Sequence, residues 1–153
     1  MNSMALLRRA NDSDLEPVKN LLIENNQKPT IVFNERTLYF IAEVDKQIIG
    51  TIGAELSDHA ALIRSTAVLK QWRSGGIAAR LVAMMFQSLK ENGVRNFYLF
   101  SRDSGPYWQK FGFEQCAVRE IIDHLPDAPQ VLGYLDDNSI WTDVAWRLFE
   151  KEQ

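Results

Sequence analysis

The chain has 153 residues, of which 46% are apolar and 24% charged, and its 17 basic and 20 acidic side chains give a net charge of −3. This length suits one core, so we expect residues 1–153 to form a single domain. No stretch reaches the roughly 18 continuous apolar residues that a membrane helix needs. Charged residues appear within the first nine residues of the chain, too soon for the apolar stretch of a signal peptide. The negative charge offers no general attraction to nucleic acid. One cysteine and two histidines exclude an internal disulfide and a His/Cys metal site. We therefore expect a cytoplasmic protein that binds no metal, nucleic acid or membrane.

The first half of the chain predicts a strand, a helix and then three strands in succession. A short apolar strand over residues 4–9 precedes a helix from about Ser13 to Asn26, which Ser13 and Glu16 open as a capping box. β-Branched and aromatic residues then predict an antiparallel meander, with Asp45-Lys46 as its first turn. Its strands are Thr37 to Val44, Gln47 to Leu56 and Ala61 to Leu69.

The second half begins with the strongest helical pattern, which runs from Ser74 until Asn92-Gly93 ends it. The elements that follow are a strand at Asn96 to Ser101, a short helix at Gly105 to Phe111, and strands at Phe113 to Val118 and Trp141 to Phe149. Prolines and an Asp-Asp-Asn cluster predict a loop over Arg119 to Ile140. The order β-α-β-β-β-α-β-α-β-β predicts an α/β or α+β domain with a mixed sheet.

The segment from Arg73 to Ala78 carries the clearest functional signal. It joins a predicted strand to the N-terminus of the long helix, where about four backbone N–H groups lack partners and the helix dipole is positive. Its members are Arg73, Ser74, Gly75, Gly76, Ile77 and Ala78. Because most of these side chains are small, an anion can reach the N–H groups, and Arg73 can add a charged contact. The segment therefore predicts a seat for a pyrophosphate.

A purely structural reading of the same segment remains open, since two glycines can simply shape a tight turn from strand to helix. Two nucleotide-binding motifs are excluded. The segment lacks the Gly-Lys-Ser/Thr ending of a P-loop, and no G-x-G-x-x-G opens a first βαβ unit.

Four short motifs, in sequence order, resemble the GNAT N-acetyltransferase superfamily. The Arg-x-x-Gly-x-Ala pattern at residues 73–78, after the strand Ile63 to Val68, resembles the acetyl-CoA-binding motif of that family. The others are Arg8-x-Ala10 with Asp14, Ile48-Ile49-Gly50 and Phe111-Gly112-Phe113-Glu114. The resemblance covers residues 7 to about 118. It implies a mixed, mostly antiparallel central sheet flanked by helices, acetyl-CoA (CoA) as cofactor, and N-acetyltransferase activity.

The resemblance also implies where the cofactor lies. In such folds the strand from Ala61 splays away from the strand at Asn96, and its unpaired backbone groups hold the pantetheine arm like an added strand. The resemblance places those groups at Thr66, Ala67 and Val68, and a backbone N–H there would stabilise an oxyanion. Ser101 stands where the family usually has an asparagine, which weakens one cofactor contact.

Direct transfer to an amine needs a general base, and Glu55 is the candidate. It lies on the strand face shared by Thr51 and Gly53, and a four-residue turn at 57–60 would place Arg64 diagonally beside it. The alternative is a surface carboxylate that pairs with Arg64 for structure alone. The family's usual acid, a tyrosine, is replaced by Trp108. The adjacent Tyr107 is the candidate acid, with packing as its alternative, and a thiolate can also leave unaided.

Arg64 suggests the acceptor, because an arginine in an apolar strand is costly unless it is paired. It could hold a substrate carboxylate through two hydrogen bonds, or pair internally with Glu55. Its strand resembles a small-molecule and amino-acid branch of the family. We therefore expect acetyl transfer to the primary amine of a small molecule, such as an amino acid or another carboxylate-bearing amine. The alternatives are an acyl-CoA-binding module without transferase activity and an acetyltransferase of protein N-termini or lysines. A sheet edge near Trp141 to Phe149 would suit a homodimer.

Overall fold

The computed structural model describes residues 4–149 and shows a mixed seven-stranded sheet flanked by helices. The strands are β1 (Leu6–Arg9), β2 (Thr37–Val44), β3 (Gln47–Leu56), β4 (Ala60–Val68), β5 (Asn96–Phe100), β6 (Glu114–Cys116) and β7 (Ala145–Phe149). The helices are α1 (Leu15–Glu24), α2 (Ile77–Glu91), α3 (Gly105–Gln109), α4 (Val118–His124) and α5 (Pro129–Asp136). The strand order is β1-β2-β3-β4-β5-β7-β6, with β5 parallel to β4 and antiparallel to β7. The predicted fold class is confirmed.

The described chain divides into two compact units. The first comprises the residues up to Ala54 together with Ser65–Leu89, and the second comprises Glu55–Arg64 together with the residues from Lys90 onward. In the helices of residues 4–149 no segment has both the length and the apolar character that a membrane crossing needs. The same residues contain no group of three or more His, Cys, Asp or Glu side chains that could hold a metal ion.

In the first unit, the β2–β3 hairpin has the predicted bounds at every end. Its turn explains the match, since Asp45 and Lys46 have φ values of 49° and 66°, the left-handed pair that joins strands with the right twist. Helix α2 lies against this hairpin at Gly50. A Cβ on Gly50 would stand 3.3 Å from Leu81 and 3.4 Å from Ile77, so the glycine lets the helix approach closely.

The start of α1 differs from the prediction. The capping box is formed by Asn11 and Asp14, not by Ser13 and Glu16: the Asp14 carboxylate accepts from the Asn11 N–H at 2.8 Å. A 3₁₀ turn over Asp12–Asp14 then leads into α1 at Leu15. Asp14 takes this role because the Arg8 guanidinium donates to both of its oxygens, at 2.8 and 3.1 Å, and holds it in place.

In the second unit, the loop predicted over Arg119 to Ile140 is wrong, since α4 and α5 occupy most of it. Pro129 did not break α5 because it stands at a position in the first turn where no N–H is needed. Both helices bury apolar residues in the unit's core, which stabilises such short helices more than propensity does. That core contains Ala60, Leu62, Tyr98, Ile121, Leu125, Ala128, Val131, Ile140 and Ala145.

The predicted dimer edge at Trp141 to Phe149 is also wrong. Strand β7 begins only at Ala145 and pairs with β5 on one side and with β6 on the other, so it is not an edge. Trp141, predicted to begin the strand, lies in a 3₁₀ turn and is 54% exposed. The other predicted elements are present, with ends shifted by at most three residues.

Candidate active site

The segment before α2, in the first unit, is open to solvent where the sequence predicted a pyrophosphate. Ser74, Gly75 and Gly76 are exposed, and Ser74 and Gly76 adopt left-handed conformations with φ of 73° and 79°. A Cβ on Gly76 would meet nothing within 4 Å. The backbone therefore turns sharply into the helix and leaves open space above its first turn.

The first turn of α2 has the donors that an anion requires. The Arg80 N–H donates to the Gly76 carbonyl at 3.0 Å, so the N–H groups from Ile77 to Ala79 precede the helical ladder. This turn contains no acidic side chain, although acids commonly occupy helix N-termini. The residues present fit a bound phosphate group on both counts.

Arg73 anchors this segment to its own unit. Its Nε donates to the Val68 carbonyl at the end of β4 at 2.9 Å, and its Nη2 donates to the Asn25 side chain just after α1. The sequence predicted a phosphate contact for Arg73. The structure shows that two of its nitrogens also fix the strand-to-helix turn.

Strand β4 contains a left-handed residue, Ser65, directly before the residues predicted to hold pantetheine. Ser65 has a φ of 58° within the strand, and its hydroxyl lies 3.3 Å from the Tyr39 hydroxyl. The Thr66 carbonyl accepts from the Gln27 side chain at 3.0 Å, while Thr66 Oγ1 is buried without a hydrogen-bond partner among residues 4–149. Ala67 and Val68, which complete the predicted set, are buried.

The pairing of β4 with β5 in the second unit covers only part of β4. The pairs run from Ala60–Asn96 to Ile63–Leu99, and β4 continues beyond them to Val68. Phe100, the next residue of β5, pairs with Ala145 of β7.

Glu55 and Arg64 form a buried ion pair in the second unit. Arg64 Nη1 donates to Glu55 Oε2 at 2.8 Å, and the two side chains are 6% and 1% exposed. The contact expected from the strand register is present. The alternative prediction, that Glu55 is a surface carboxylate, is wrong, because the Glu55 side chain is almost fully buried.

Gln130 completes this cluster and was missed by the sequence reasoning. Its backbone N–H, in the first turn of α5, donates to Glu55 Oε1 at 2.8 Å. Its side-chain Nε2 donates to the Tyr134 hydroxyl at 3.2 Å. The two partners are 75 positions apart, so no local pattern links them. The one available signal was Pro129, which favours a helix start.

The candidate acid Tyr107 lies on α3 beside a packed aromatic group. Its ring contacts Trp108 and Phe111, and its hydroxyl is buried without a partner in the part of the chain that the structure describes. Burial raises the pKa of this phenol above its ordinary value. Trp108 is 6% exposed and packs against Phe113.

Ser101 is engaged in holding the loop between β5 and α3. Its N–H donates to the Val144 carbonyl, its carbonyl accepts from the Trp146 indole, and its hydroxyl accepts from the Ser104 N–H at 3.0 Å. These bonds hold the loop in place. They leave the Ser101 hydroxyl able to donate its proton to a cofactor.

Comparison with known proteins gives an independent finding. A family model described as an acetyltransferase (GNAT) domain matches residues 35–115, which is more than half of the chain. The chain is also similar to the uncharacterized protein YyaT of Bacillus subtilis (strain 168), with 23% identity over 93 residues. The match covers 60% of this chain and 63% of YyaT, so it spans less than two thirds of that relative.

Solved structures share the fold at low identity. N-acetylglutamate synthase from Neisseria gonorrhoeae, complexed with coenzyme A and N-acetyl-glutamate, has a TM-score of 0.73 and 17% identity over 99% of this chain and 36% of its own. A GNAT-family acetyltransferase from Staphylococcus aureus Mu50 has a TM-score of 0.71 and 17% identity, covering 97% of this chain and 100% of its own. The ribosomal-protein-S18-alanine N-acetyltransferase of Escherichia coli has a TM-score of 0.62 and 17% identity, covering 74% and 80%. With the fold and the family model in agreement, this chain belongs to the GNAT acetyltransferase family.

Proposed function

We propose that the chain is an acetyl-CoA-dependent N-acetyltransferase acting on the primary amine of a small, carboxylate-bearing molecule such as an amino acid. The first turn of α2 carries this proposal, because it combines exposed N–H donors, a glycine with open space above it and no acidic side chain. Membership of the family supports the transferase chemistry. The likeness to a synthase crystallised with coenzyme A supports the cofactor.

The cofactor supplies, when bound, an acetyl group activated as a thioester. The N–H groups of Gly76, Ile77 and Ala78 bind its pyrophosphate, and Arg73 both fixes the turn and adds positive charge. Ser74 and Gly75 keep the approach open. The backbone groups of Thr66, Ala67 and Val68 would hold the pantetheine arm, and one N–H of β4 would donate to the thioester carbonyl oxygen. Ser101 adds a hydroxyl contact.

Proton movements are assigned to two side chains. Glu55 takes the proton from the acceptor ammonium, directly or through water. A carboxylate offers about four lone-pair positions, and two are used by Arg64 and Gln130, so Glu55 keeps the capacity for a third bond. Tyr107 is assigned as the donor of a proton to the thiolate that would leave; its raised pKa keeps the phenol protonated and also makes it a weaker acid.

The acceptor class rests on Arg64. A buried guanidinium with one nitrogen paired to Glu55 and another unpaired suits a carboxylate ligand. The likeness to a synthase complexed with N-acetyl-glutamate supports an amino acid. A second candidate, acetylation of a protein N-terminus, is favoured by the likeness to the S18-alanine enzyme. We place the reaction in the cytoplasm, in a single domain.

The test measures thiol release with acetyl-CoA against a panel of amino acids, polyamines, aminoglycosides and N-terminal peptides. Turnover that needs both substrates is expected, and it should be lost in Glu55→Gln while CoA binding by calorimetry is retained. Glu16→Gln, an exposed carboxylate on α1, is the matched control and should keep full activity. CoA-induced thermal stabilisation with no turnover for any acceptor would instead identify a binding module.

A further inference from the structure

Two buried polar atoms in the second unit have no hydrogen-bond partner and opposite requirements. Arg64 Nε is a donor and Gln130 Oε1 is an acceptor, and neither finds a partner within the residues that the structure describes. Each residue is 9% exposed. Buried polar groups are almost always paired with protein or with ordered water, so each of these two atoms needs a partner from outside the chain.

Both residues are held by the same carboxylate. Glu55 Oε2 accepts from Arg64 Nη1 and Glu55 Oε1 accepts from the Gln130 N–H, each at 2.8 Å. Glu55 therefore fixes the Arg64 guanidinium directly, and it fixes the backbone of Gln130 at the start of α5. Gln130 is fixed further, because its Nε2 donates to the Tyr134 hydroxyl and leaves Oε1 as the unused end of the amide.

A ligand that satisfies this pair must present an acceptor to a guanidinium and a donor to an amide oxygen. A carboxylate is the strongest acceptor for a guanidinium, and an amine is a donor. An α-amino acid carries the two groups one carbon apart. A protonated polyamine offers only donors, and an aminoglycoside has no carboxylate. Both would bring positive charge to Arg64, while a peptide N-terminus lacks the α-carboxylate.

We propose that Arg64 and Gln130 form the binding site for the head group of a free α-amino acid, with Arg64 Nε donating to its carboxylate and Gln130 Oε1 accepting from its amine. This inference rests on the proposed function and narrows its substrate class. It assigns Gln130 a direct contact with the acceptor. It also gives Glu55 a second role, because Glu55 positions the Arg64 guanidinium and the backbone of Gln130.

The first experiment measures binding and needs no turnover. Calorimetry on the CoA-loaded protein compares each of the twenty amino acids with its carboxamide. We expect at least one acid to bind tenfold or more tightly than its amide. No saturable binding of any acid, or equal binding of acid and amide, overturns the proposal.

The second experiment separates recognition from stability. Gln130→Met keeps the size of the side chain and the backbone bond to Glu55, and it should weaken amino-acid binding at least tenfold without changing CoA affinity. Gln47→Met, at the exposed start of β3, is the control and should change neither. A Gln130→Met protein that binds amino acids as the parent does contradicts the assignment.

Arg64 is tested by variants that spare the buried charge balance. Arg64→Lys keeps a cation for Glu55 but has no Nε–H, and Arg64→Met combined with Glu55→Gln removes both charges. A thermal unfolding transition shows whether each variant folds. A folded variant should lose the preference for the amino acid over its carboxamide. An equal loss of affinity for both ligands would show that Arg64 has a structural role alone. Turnover of amines without any such preference would defeat this inference and leave acetyl transfer standing. Binding that requires the carboxylate, in a protein that shows no turnover, would support this inference and contradict the proposed acetyl transfer.

Discussion

Gly75 and Gly76 are neighbours with the same side chain and different conformational requirements. Gly76 has a φ of 79°, where an L side chain is strained, whereas a Cβ on Gly75 would meet only the Trp72 carbonyl at an ordinary 3.7 Å. We expect Gly76→Ala to lower the free energy of unfolding by about 1 kcal/mol and to weaken CoA binding by redirecting the N–H groups. Gly75→Ala, measured by the same denaturation and calorimetry, should lose less than about 0.5 kcal/mol. Equal losses in stability would contradict the strain argument.

Cys116 is a packing residue whose thiol should react slowly. Burial, assisted by the negative charge of Glu120, raises the pKa of this thiol to about 11. At neutral pH its thiolate fraction is then about a hundredfold below that of an ordinary cysteine. Iodoacetamide labelling at pH 7.5, followed by mass spectrometry, should be slower by about that factor than labelling in denaturant. Equal rates in the two conditions would show that the thiol is accessible and ionised.

At the scale of the elements, α5 contains a glycine that its helix does not need. An added Cβ on Gly133 would meet nothing within 4 Å. Gly133→Ala should raise the free energy of unfolding by about 0.5–1 kcal/mol, because alanine loses less backbone entropy in a helix. Gly105→Ala is the contrasting variant, since its Cβ would stand 2.6 Å from the Trp146 ring, and it should destabilise the protein. Thermal and urea unfolding of both variants give the comparison.

The elements that could be predicted are those whose signal is local. The β2–β3 hairpin carries its own turn at Asp45-Lys46, so its ends follow from neighbouring residues. Helices α4 and α5 have seven and eight residues and few strong helix signals, and their stability comes from burying Ile121 and Val131. Burial of that kind depends on a sheet that local sequence does not describe.

The candidate site divides in the same way. The Arg73 to Ala78 segment is a continuous motif, and Glu55 and Arg64 lie on consecutive strands joined by a short turn, so both could be inferred. Gln130 could not be inferred. It lies in a segment that was predicted to be a loop, and its partner Glu55 is 75 positions away on a strand.

At the scale of the whole molecule, the Arg8–Asp14 pair makes the free energy of unfolding depend on pH. Hydrogen bonds from the Arg8 guanidinium lower the pKa of the Asp14 carboxyl, which is 5% exposed, below its ordinary value near 4. A group with a lowered folded-state pKa contributes stability above its unfolded pKa and loses it as the pH falls through the folded-state pKa. Asp14 therefore stabilises the folded chain at neutral pH and loses this contribution progressively as the pH falls below about 4.

Asp14→Asn should accordingly lose about 1–2 kcal/mol at pH 7 and show a flatter fall in stability below pH 4 than the parent chain. Urea unfolding between pH 2 and 7 measures both quantities. Asp127→Asn, at an exposed site between α4 and α5, is the control and should follow the parent curve. Parallel curves for Asp14→Asn and its parent would remove the pair as a source of acid sensitivity.

The left-handed turn at Asp45-Lys46 has a consequence in time. A hairpin closed by two residues forms in about 1–10 μs, because little chain entropy is lost before its first bonds are made. The parallel pairing of Ala60 with Asn96 must instead close a loop of about 36 residues, and such non-local pairings are intrinsically slow. We expect the hairpin amides to gain protection early in refolding and the β4–β5 amides to gain it last. Pulsed hydrogen exchange would record that order. The β4–β5 pairing beside Arg64 would then form after the β2–β3 hairpin that carries Glu55.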